Sequence, residues 1–483
     1  MIYMSINTHD YENDVRVMIQ AFYPKEKIIT DCERAGECML RIEVSVTGSR
    51  IRVRIAGSAG GGEIDCDAGT IERKSVRNRL KRELYSVLSE ITRIKLVWGT
   101  LTGIRPTKIP YAMIENGDGE DEIIRSLKSE YLVSDEKAKL SLAVAQKEHA
   151  LLSGLDYRDG YSLYVGIPFC PTTCLYCSFT SYPLSMWKNR TDEYIDALER
   201  ELRALGSFLK DKKINTVYIG GGTPTTLLPY QLDRLLFCIE MNFDLGGLKE
   251  FTVEAGRPDS IDRDKLKTLR RHKVDRISVN PQTMNQGTLD LIGRRHTAEQ
   301  TASAFAMARE CGFDNINMDL IAGLPGEGER EVSHTLQEVA KLSPDSLTVH
   351  SLAIKRAAAL NIFREAYAGY SIENTDRIMG LTHKAAEDMG LEPYYLYRQK
   401  NMAGNFENVG YAKPGKECLY NILIMEEQQS IWAAGAGAQS KIVRRDPPRV
   451  DRIENVKDVS DYIGRTDEMI DRKRRYIDAK GNE

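Results

Sequence analysis

The sequence has no apolar run approaching the roughly 20 residues needed to cross a bilayer. It also has no large excess of one charge. Its 67 Lys and Arg against 70 Asp and Glu leave a formal net charge of −3, without the strong basic field of nucleic-acid binders. Neither a nucleic-acid partner nor a membrane span is expected. The amino terminus, MIYMSINTHDYENDVRVM, lacks a basic start, an apolar centre and a small-residue cleavage site, so no signal peptide is expected there. A disulfide framework is missing too. The nine cysteines are odd in number, and Cys66, Cys238, Cys311 and Cys418 sit singly. That usage suits a reducing cytosol, where clustered thiols are metal ligands more often than disulfides. A cytoplasmic location is expected.

At 483 residues the chain suggests roughly three units of about 150 residues each. Residues 1–155 begin as a strand and helix mixture. In CMLRIEVSVTGSRIRVRIAG, alternating apolar residues flank Thr47–Gly48–Ser49, which predicts a hairpin. A helical stripe of Leu80, Leu84, Val87, Leu88 and Ile91 follows, then a Gly/Pro-punctuated piece and a helical pair. This segment is expected to be an accessory α+β domain, and it shows no catalytic constellation. The turn Arg105-Pro-Thr-Lys108 reads best as a solvated basic loop.

From Tyr161 the pattern becomes strand, loop, helix, repeated. The predicted strands are YSLYVGI, NTVYI, EFTVE, DRISVN, NINMDLI and SLTVHSL. Parallel strands need crossovers, so this alternation predicts a parallel sheet with helices outside. Six units are too few for a closed eight-fold barrel and enough for a curved, partly open one. The expected core runs over residues 156–362. Residues 363–483 are expected to form a helix-rich α+β domain closing the barrel mouth.

The stretch YVGIPFCPTTCLYCSF places Cys170, Cys174 and Cys177 at C-x3-C-x2-C spacing after the first barrel strand. A structural zinc site closes its tetrahedron with four protein ligands. No second C-x2-C exists here, and the nearest histidines in sequence are His149 and His272. Iron–sulfur cubes normally take four thiolates. Three thiolates leave one iron open to a small chelating molecule, as in clusters that bind and reductively cleave S-adenosylmethionine. Zinc and an incidental cysteine group are the blander readings. Tyr176, between the second and third ligands, can shield a cluster and offer a face to adenine.

The triplet, so placed, resembles the radical S-adenosylmethionine superfamily. The resemblance implies a partial (β/α)6 barrel, a 4Fe–4S cluster on Cys170, Cys174 and Cys177, and one or two molecules of S-adenosylmethionine. Working groups in such barrels sit at carboxyl ends of strands. Here NTVYI runs into Gly220-Gly221-Gly222-Thr223-Pro224-Thr225, where glycine lets backbone approach a ligand closely. Glu254 ends EFTVE, Gln282 follows DRISVN, and Asp319 lies inside NINMDLI. These can hydrogen-bond ammonium, carboxylate and ribose groups, and Arg294 can pair with a carboxylate in fork geometry.

YVGIPFCPTTCLYCSF, GGGTPT, VDRISVNPQTMNQGTLDLIGRRHT and INMDLIAGLPGE resemble, in that order, the oxygen-independent coproporphyrinogen III oxidase group. SLTVHSLAIKRA, YYLYRQKNMAGNFENVGY and the extra amino-terminal segment look closest to its HemZ-type coproporphyrinogen dehydrogenases. In that group Tyr164, Gly221, Gly222, Thr223, Glu254, Gln282, Arg294 and Asp319 match positions that contact S-adenosylmethionine. The implied reaction is the oxygen-independent conversion of two propionates of coproporphyrinogen III to vinyl groups, giving protoporphyrinogen IX. A 5′-deoxyadenosyl radical starts it, fed by a flavodoxin- or ferredoxin-like donor. Arg294, Lys355, Arg356 and Arg398 are candidates for the substrate carboxylates, and Tyr394, Tyr395 and Tyr397 for stacking on the tetrapyrrole. The last six are as readily salt bridges or core residues.

Two departures from the group's pattern stand out. The best-known oxidases carry a fourth cysteine two residues after the triplet, where this chain has Phe179. The sister haem-chaperone branch carries H-N-x-x-Y-W, where this chain reads Tyr420-Asn421-Ile422-Leu423-Ile424-Met425. The haem-ligating His is absent, although tyrosinate can also ligate haem. A haem carrier and a radical methyltransferase acting on haem therefore remain alternatives. The glycine-rich Gly435–Lys441 is either a packing turn or a contact to a second S-adenosylmethionine.

Overall fold

Alternating apolar residues give strands that bury one face, and the first unit is built this way. The computed structural model describes residues 1–58, 60–178, 181–353, 369–399 and 403–480. Phe179, Lys355, Arg356 and the expected boundary at 362 lie outside the described residues. Met1–Gln146 and Tyr397–Asn401 form one compact unit. Its sheet has the order β2-β1-β3-β4-β5, from β1 (Ile2–Ile6), β2 (Ile28–Ile29), β3 (Leu40–Thr47), β4 (Arg50–Gly57) and β5 (Gly62–Asp67). β3 and β4 form the expected hairpin, with Thr47 opposite Arg50 and Gly48 at φ +60° in the turn. Val15, Met18, Leu80, Leu84 and Leu88, from helices Glu12–Phe22 and Arg73–Thr92, pack on one face. The opposite face shows Arg50, Arg52 and Arg54 to solvent. Three helices follow rather than a pair, because Gly117 and Leu132 take left-handed φ values of +87° and +58° and break the run.

The second unit comprises Lys147–Leu396 and Met402–Glu483. β6 (Gly160–Ile167) leads to the short pair β7 (Phe169–Cys170) and β8 (Tyr182–Pro183). β9 (Lys213–Gly221), β10 (Glu250–Val253), β11 (Arg276–Ser278), β12 (Ile316–Ala322) and β13 (Ser346–Ser351) then run parallel to β6, each beside the last. These are the six strands expected from the sequence, and they make the partial (β/α)6 barrel. Helices cover its outside. In Thr191–Phe208 the stripe Tyr194, Leu198, Leu202 and Leu205 is buried, each apolar side chain contributing about 1.5–3 kcal/mol.

The carboxyl-terminal part holds more strand than expected. β14 (Glu392–Tyr397) and β15 (Asn408–Ala412) extend the sheet beyond β13, while β16 (Ser430–Ala434), β17 (Gln439–Arg445) and β18 (Pro448–Glu454) extend it beyond β6. SIWAA is only five residues long, and Ile431 and Trp432 alone in it favour a strand. It becomes a strand because β16 finds β6 as a parallel partner, Ala434 opposite Val165. Among the described residues no helix is long and apolar enough to cross a membrane.

Candidate active site at the carboxyl ends of the barrel strands

Parallel strands deliver their carboxyl ends to one side, so the register decides which side chains share a layer. Ile167 lies opposite Gly221, and Ile219 opposite Val253, which sets Glu254 level with Gly220. Ser278 lies opposite Asn317, which sets Asn280 level with Asp319. The carboxyl ends of β6, β9, β10, β11 and β12 thus meet, with the cysteine loop above them.

Cys170 closes β7, and Cys174 and Cys177 follow on a turn in which the Cys177 N–H donates to the Cys174 carbonyl at 3.1 Å. The loop is tied down by Leu175 N–H to the Ile292 carbonyl at 2.9 Å and by the Thr172 hydroxyl to the Gly293 carbonyl at 2.9 Å. None of the three is in a disulfide, and all are partly exposed. The Thr223 hydroxyl points at Cys170 Sγ from 3.5 Å. Arg257, which the sequence reading missed, brings Nη1 to 3.7 Å from Cys174 Sγ. Its guanidinium is 4% exposed and is held by Asp259 through Nε–Oδ1 at 2.9 Å and Nη2–Oδ2 at 2.7 Å. A fixed cation there offsets the negative charge that iron-bound thiolates would bring to the loop. Among the described residues no three His, Cys, Asp or Glu side chains close on a single metal ion. Cys174 and Cys177 lie close enough to Cys170 for their charges to act on its thiol, and three such clustered thiols suit a cube, in which each thiolate takes its own iron. The residues present fit the cluster.

The glycine loop explains its own composition. Gly222 N–H donates to the Ile167 carbonyl and Thr223 N–H to the Phe169 carbonyl, both at 2.7 Å. A Cβ on Gly222 would lie 2.6 Å from the Phe169 carbonyl oxygen, and Gly221 takes φ +105°. Any side chain there would push the chain away from the strand that leads to Cys170.

Glu254 and Asp319 are carboxylates in opposite states. Burial pushes the Glu254 carboxyl up to about 7, assisted by nearby Asp319, although the Tyr218 hydroxyl donates to Oε1 at 2.5 Å. Burial acts on Asp319 too, but His350, Asn317 and Thr348 outweigh it and hold that carboxyl low. Asn317 donates to Oδ1 at 2.7 Å and Asn280 to Oδ2 at 2.8 Å, with His350 Nε2 at 3.9 Å. A half-buried carboxylate that forms no ion pair can accept a cation from a ligand. Among the described residues Glu254 forms none, although the Arg276 charge acts on it.

The other expected site residues are placed as follows. Tyr176 accepts a hydrogen bond from Arg294 Nη1 at 3.1 Å. Arg294 is buried, and Nη2 donates to the carbonyls of Gly256 at 3.0 Å and Asn280 at 2.7 Å. Its fork therefore serves the protein's own loops. Gln282 stands at φ +70°, and its N–H donates to the Asp319 carbonyl at 2.9 Å. Its side chain borders a cavity of about 10 Å³, room for about one water. Tyr164 is stacked with Tyr218 and Tyr420, at centroid distances of 6.3 and 6.2 Å. Tyr394 and Tyr395 are buried against each other, ring centroids 4.9 Å apart. Arg398 belongs to the first unit, where its Nη1 donates to the Leu101 carbonyl and its guanidinium covers the Trp98 ring. Tyr397 belongs to that unit as well.

The Radical SAM superfamily model matches residues 164–339. The chain is 42% identical over 410 residues to the oxygen-independent coproporphyrinogen-III oxidase-like protein HemZ of Bacillus subtilis, covering 84% of this chain and 82% of that one. It belongs to the HemZ family of radical SAM proteins. The heme chaperone HemW of Bacillus subtilis is 32% identical over 285 residues, 58% of this chain and 71% of its own. Among solved structures, the radical SAM enzyme coproporphyrinogen III oxidase (HemN) of Escherichia coli matches with a TM-score of 0.52 and 25% identity, over 67% of this chain and 73% of that one. Membership brings the 4Fe–4S cluster and S-adenosylmethionine as cofactors of this family's chemistry.

Proposed function

We propose that the chain catalyses the oxygen-independent oxidative decarboxylation of two propionates of coproporphyrinogen III, giving protoporphyrinogen IX for haem synthesis in the cytoplasm. A flavodoxin- or ferredoxin-like protein is the proposed electron donor. When bound, the cluster and S-adenosylmethionine supply a 5′-deoxyadenosyl radical able to take hydrogen from a propionate β-carbon. Cys170, Cys174 and Cys177 hold the cluster in this reading. Thr223 and Arg257 flank Cys170 and Cys174, the Gly220–Thr223 backbone would face the methionine part, and Glu254 would accept the ligand's ammonium. Asp319, already fixed by Asn280 and Asn317, takes ribose hydroxyls without moving.

The observation that favours the decarboxylase over a haem carrier is the placement of Tyr420. It occupies the position where the carrier branch has its His, but it is 5% exposed and stacked on Tyr218 at 4.4 Å with an interplanar angle of 19°. Burial pushes its phenol well above the usual range, so no tyrosinate is on offer to haem iron. The test is anaerobic turnover of the cluster-reconstituted protein with coproporphyrinogen III, S-adenosylmethionine and dithionite, followed by mass spectrometry. Loss of two carbon dioxides, with 5′-deoxyadenosine formed alongside, supports the reading. Cleavage of S-adenosylmethionine with untouched coproporphyrinogen, and a methylated or ring-opened product from haem, would replace it with methyl transfer.

A further inference from the structure

A second buried polar network lies behind the site, and no step above uses it. Glu201, on the helix Thr191–Phe208, is 0% exposed and pairs with Lys473, 1% exposed, at 2.6 Å. Lys473 comes from the carboxyl-terminal helix Thr466–Lys480. Its ammonium also donates to Asn455 Oδ1 at 2.7 Å. The other Glu201 oxygen accepts from the Tyr462 hydroxyl at 2.6 Å and from the Gly435 N–H at 2.9 Å. Asn455 Nδ2 donates to the Glu201 carboxylate at 2.9 and 3.1 Å and to the Gly435 carbonyl at 2.9 Å.

This network ends on the wall of the site. β16 runs parallel to β6, so the loop from Gly435 leaves at the same end as the cysteine loop. Gly435 sits at φ +107°, and a Cβ there would lie 2.5 Å from the Gly166 carbonyl oxygen. The Tyr194 hydroxyl ties the two together, donating to the Gly166 carbonyl at 2.6 Å and accepting from the Ala436 N–H at 3.0 Å. Gly166 lies two residues after Tyr164 and four before Cys170. A buried ion pair is weak evidence for stability, because desolvation offsets its attraction. It does fix geometry, and here the geometry it fixes is that of loop 435–438 and the carboxyl end of β6.

We propose that Glu201 and Lys473 are positioning residues for the S-adenosylmethionine site, through which the carboxyl-terminal helix sets loop 435–438 against β6. The proposal rests on the family's use of S-adenosylmethionine, and it stands whether or not coproporphyrinogen is the substrate. The test uses the full-length, cluster-reconstituted protein and measures S-adenosylmethionine affinity by calorimetry. The perturbation that S-adenosylmethionine causes in the electron paramagnetic resonance signal of the reduced cluster is the second readout. Lys473→Met and the double variant Glu201→Gln/Lys473→Met should keep their iron and sulfide and weaken affinity roughly tenfold, as expected when a site is displaced by a fraction of an ångström. Tyr462→Phe, which removes one bond to Glu201 and no charge, should move affinity in the same direction by less. A lower melting temperature with wild-type affinity and an unchanged spectrum would overturn the proposal, since a purely structural pair would behave that way. If Lys473→Met and the double variant fail to fold, Tyr462→Phe decides alone, and wild-type affinity there overturns the proposal equally.

Discussion

Replacing Glu254 with Gln should stabilise the cluster-free protein at neutral pH while abolishing its affinity for S-adenosylmethionine. Burial raises the Glu254 carboxyl from its ordinary 4.5 to about 7. The folded protein therefore keeps a proton that the unfolded chain releases, and the sign follows directly. The Glu254 contribution is fully present below about pH 4.5, declines as pH rises, and is lost once pH passes about 7. At about 1.36 kcal/mol per pH unit, the interval from 4.5 to about 7 is worth about 3 kcal/mol. Gln does not titrate, so the variant escapes this decline. Urea denaturation of both proteins at several pH values between 4.5 and 8 measures the effect. The variant's stability relative to wild type should climb by about 3 kcal/mol across that range. Two curves that stay parallel would refute the reasoning, because Glu254 would then carry no suppressed charge for a ligand's ammonium to satisfy.

Other perturbations separate the parts of the site. Cys174→Ala removes one thiolate and should eliminate cluster absorbance after anaerobic reconstitution; retained absorbance with S-adenosylmethionine cleavage would contradict the ligand assignment. Arg257→Met leaves Asp259, 19% exposed, without its partner. Breaking a buried pair costs about 3–5 kcal/mol, reduced here to about 2 kcal/mol by that exposure, and calorimetric unfolding would register it. The same variant removes a cation beside Cys174 and should lower the cluster's reduction potential by roughly 50–100 mV, read by redox titration. Tyr420→Phe keeps the ring stack and should leave the absorbance of added haem unchanged. A haem band that Tyr420→Phe abolishes would restore the carrier reading.

The parts of this fold carried by short-range patterns were legible in the sequence. Runs such as SLYVGI and NINMDLI announce strands because β-branched and aliphatic residues fill both faces of a buried parallel sheet. Cysteine spacing and the glycine triplet are equally local. What escaped was everything set by partners far away in the chain. Arg257 is three residues past Glu254, but its role depends on Cys174, 83 residues earlier. Tyr218 and Tyr420 meet only because a helix late in the chain packs on β9. Lys473 pairs with Glu201 across 272 positions, and charged residues read from sequence default to the surface. β16 was hidden for the same reason, since five-residue SIWAA is short and its parallel partner β6 lies far back in the chain. Arg294 shows the converse. Its residue type was right for gripping a carboxylate, but the carbonyls of Gly256 and Asn280 occupy the grip.

The most direct measurement uses coproporphyrinogen III deuterated at the propionate β-carbons, turned over anaerobically with S-adenosylmethionine and reductant. The account predicts deuterium in the 5′-deoxyadenosine and a tetrapyrrole that has lost two carbon dioxides. Unlabelled 5′-deoxyadenosine beside intact substrate would contradict it.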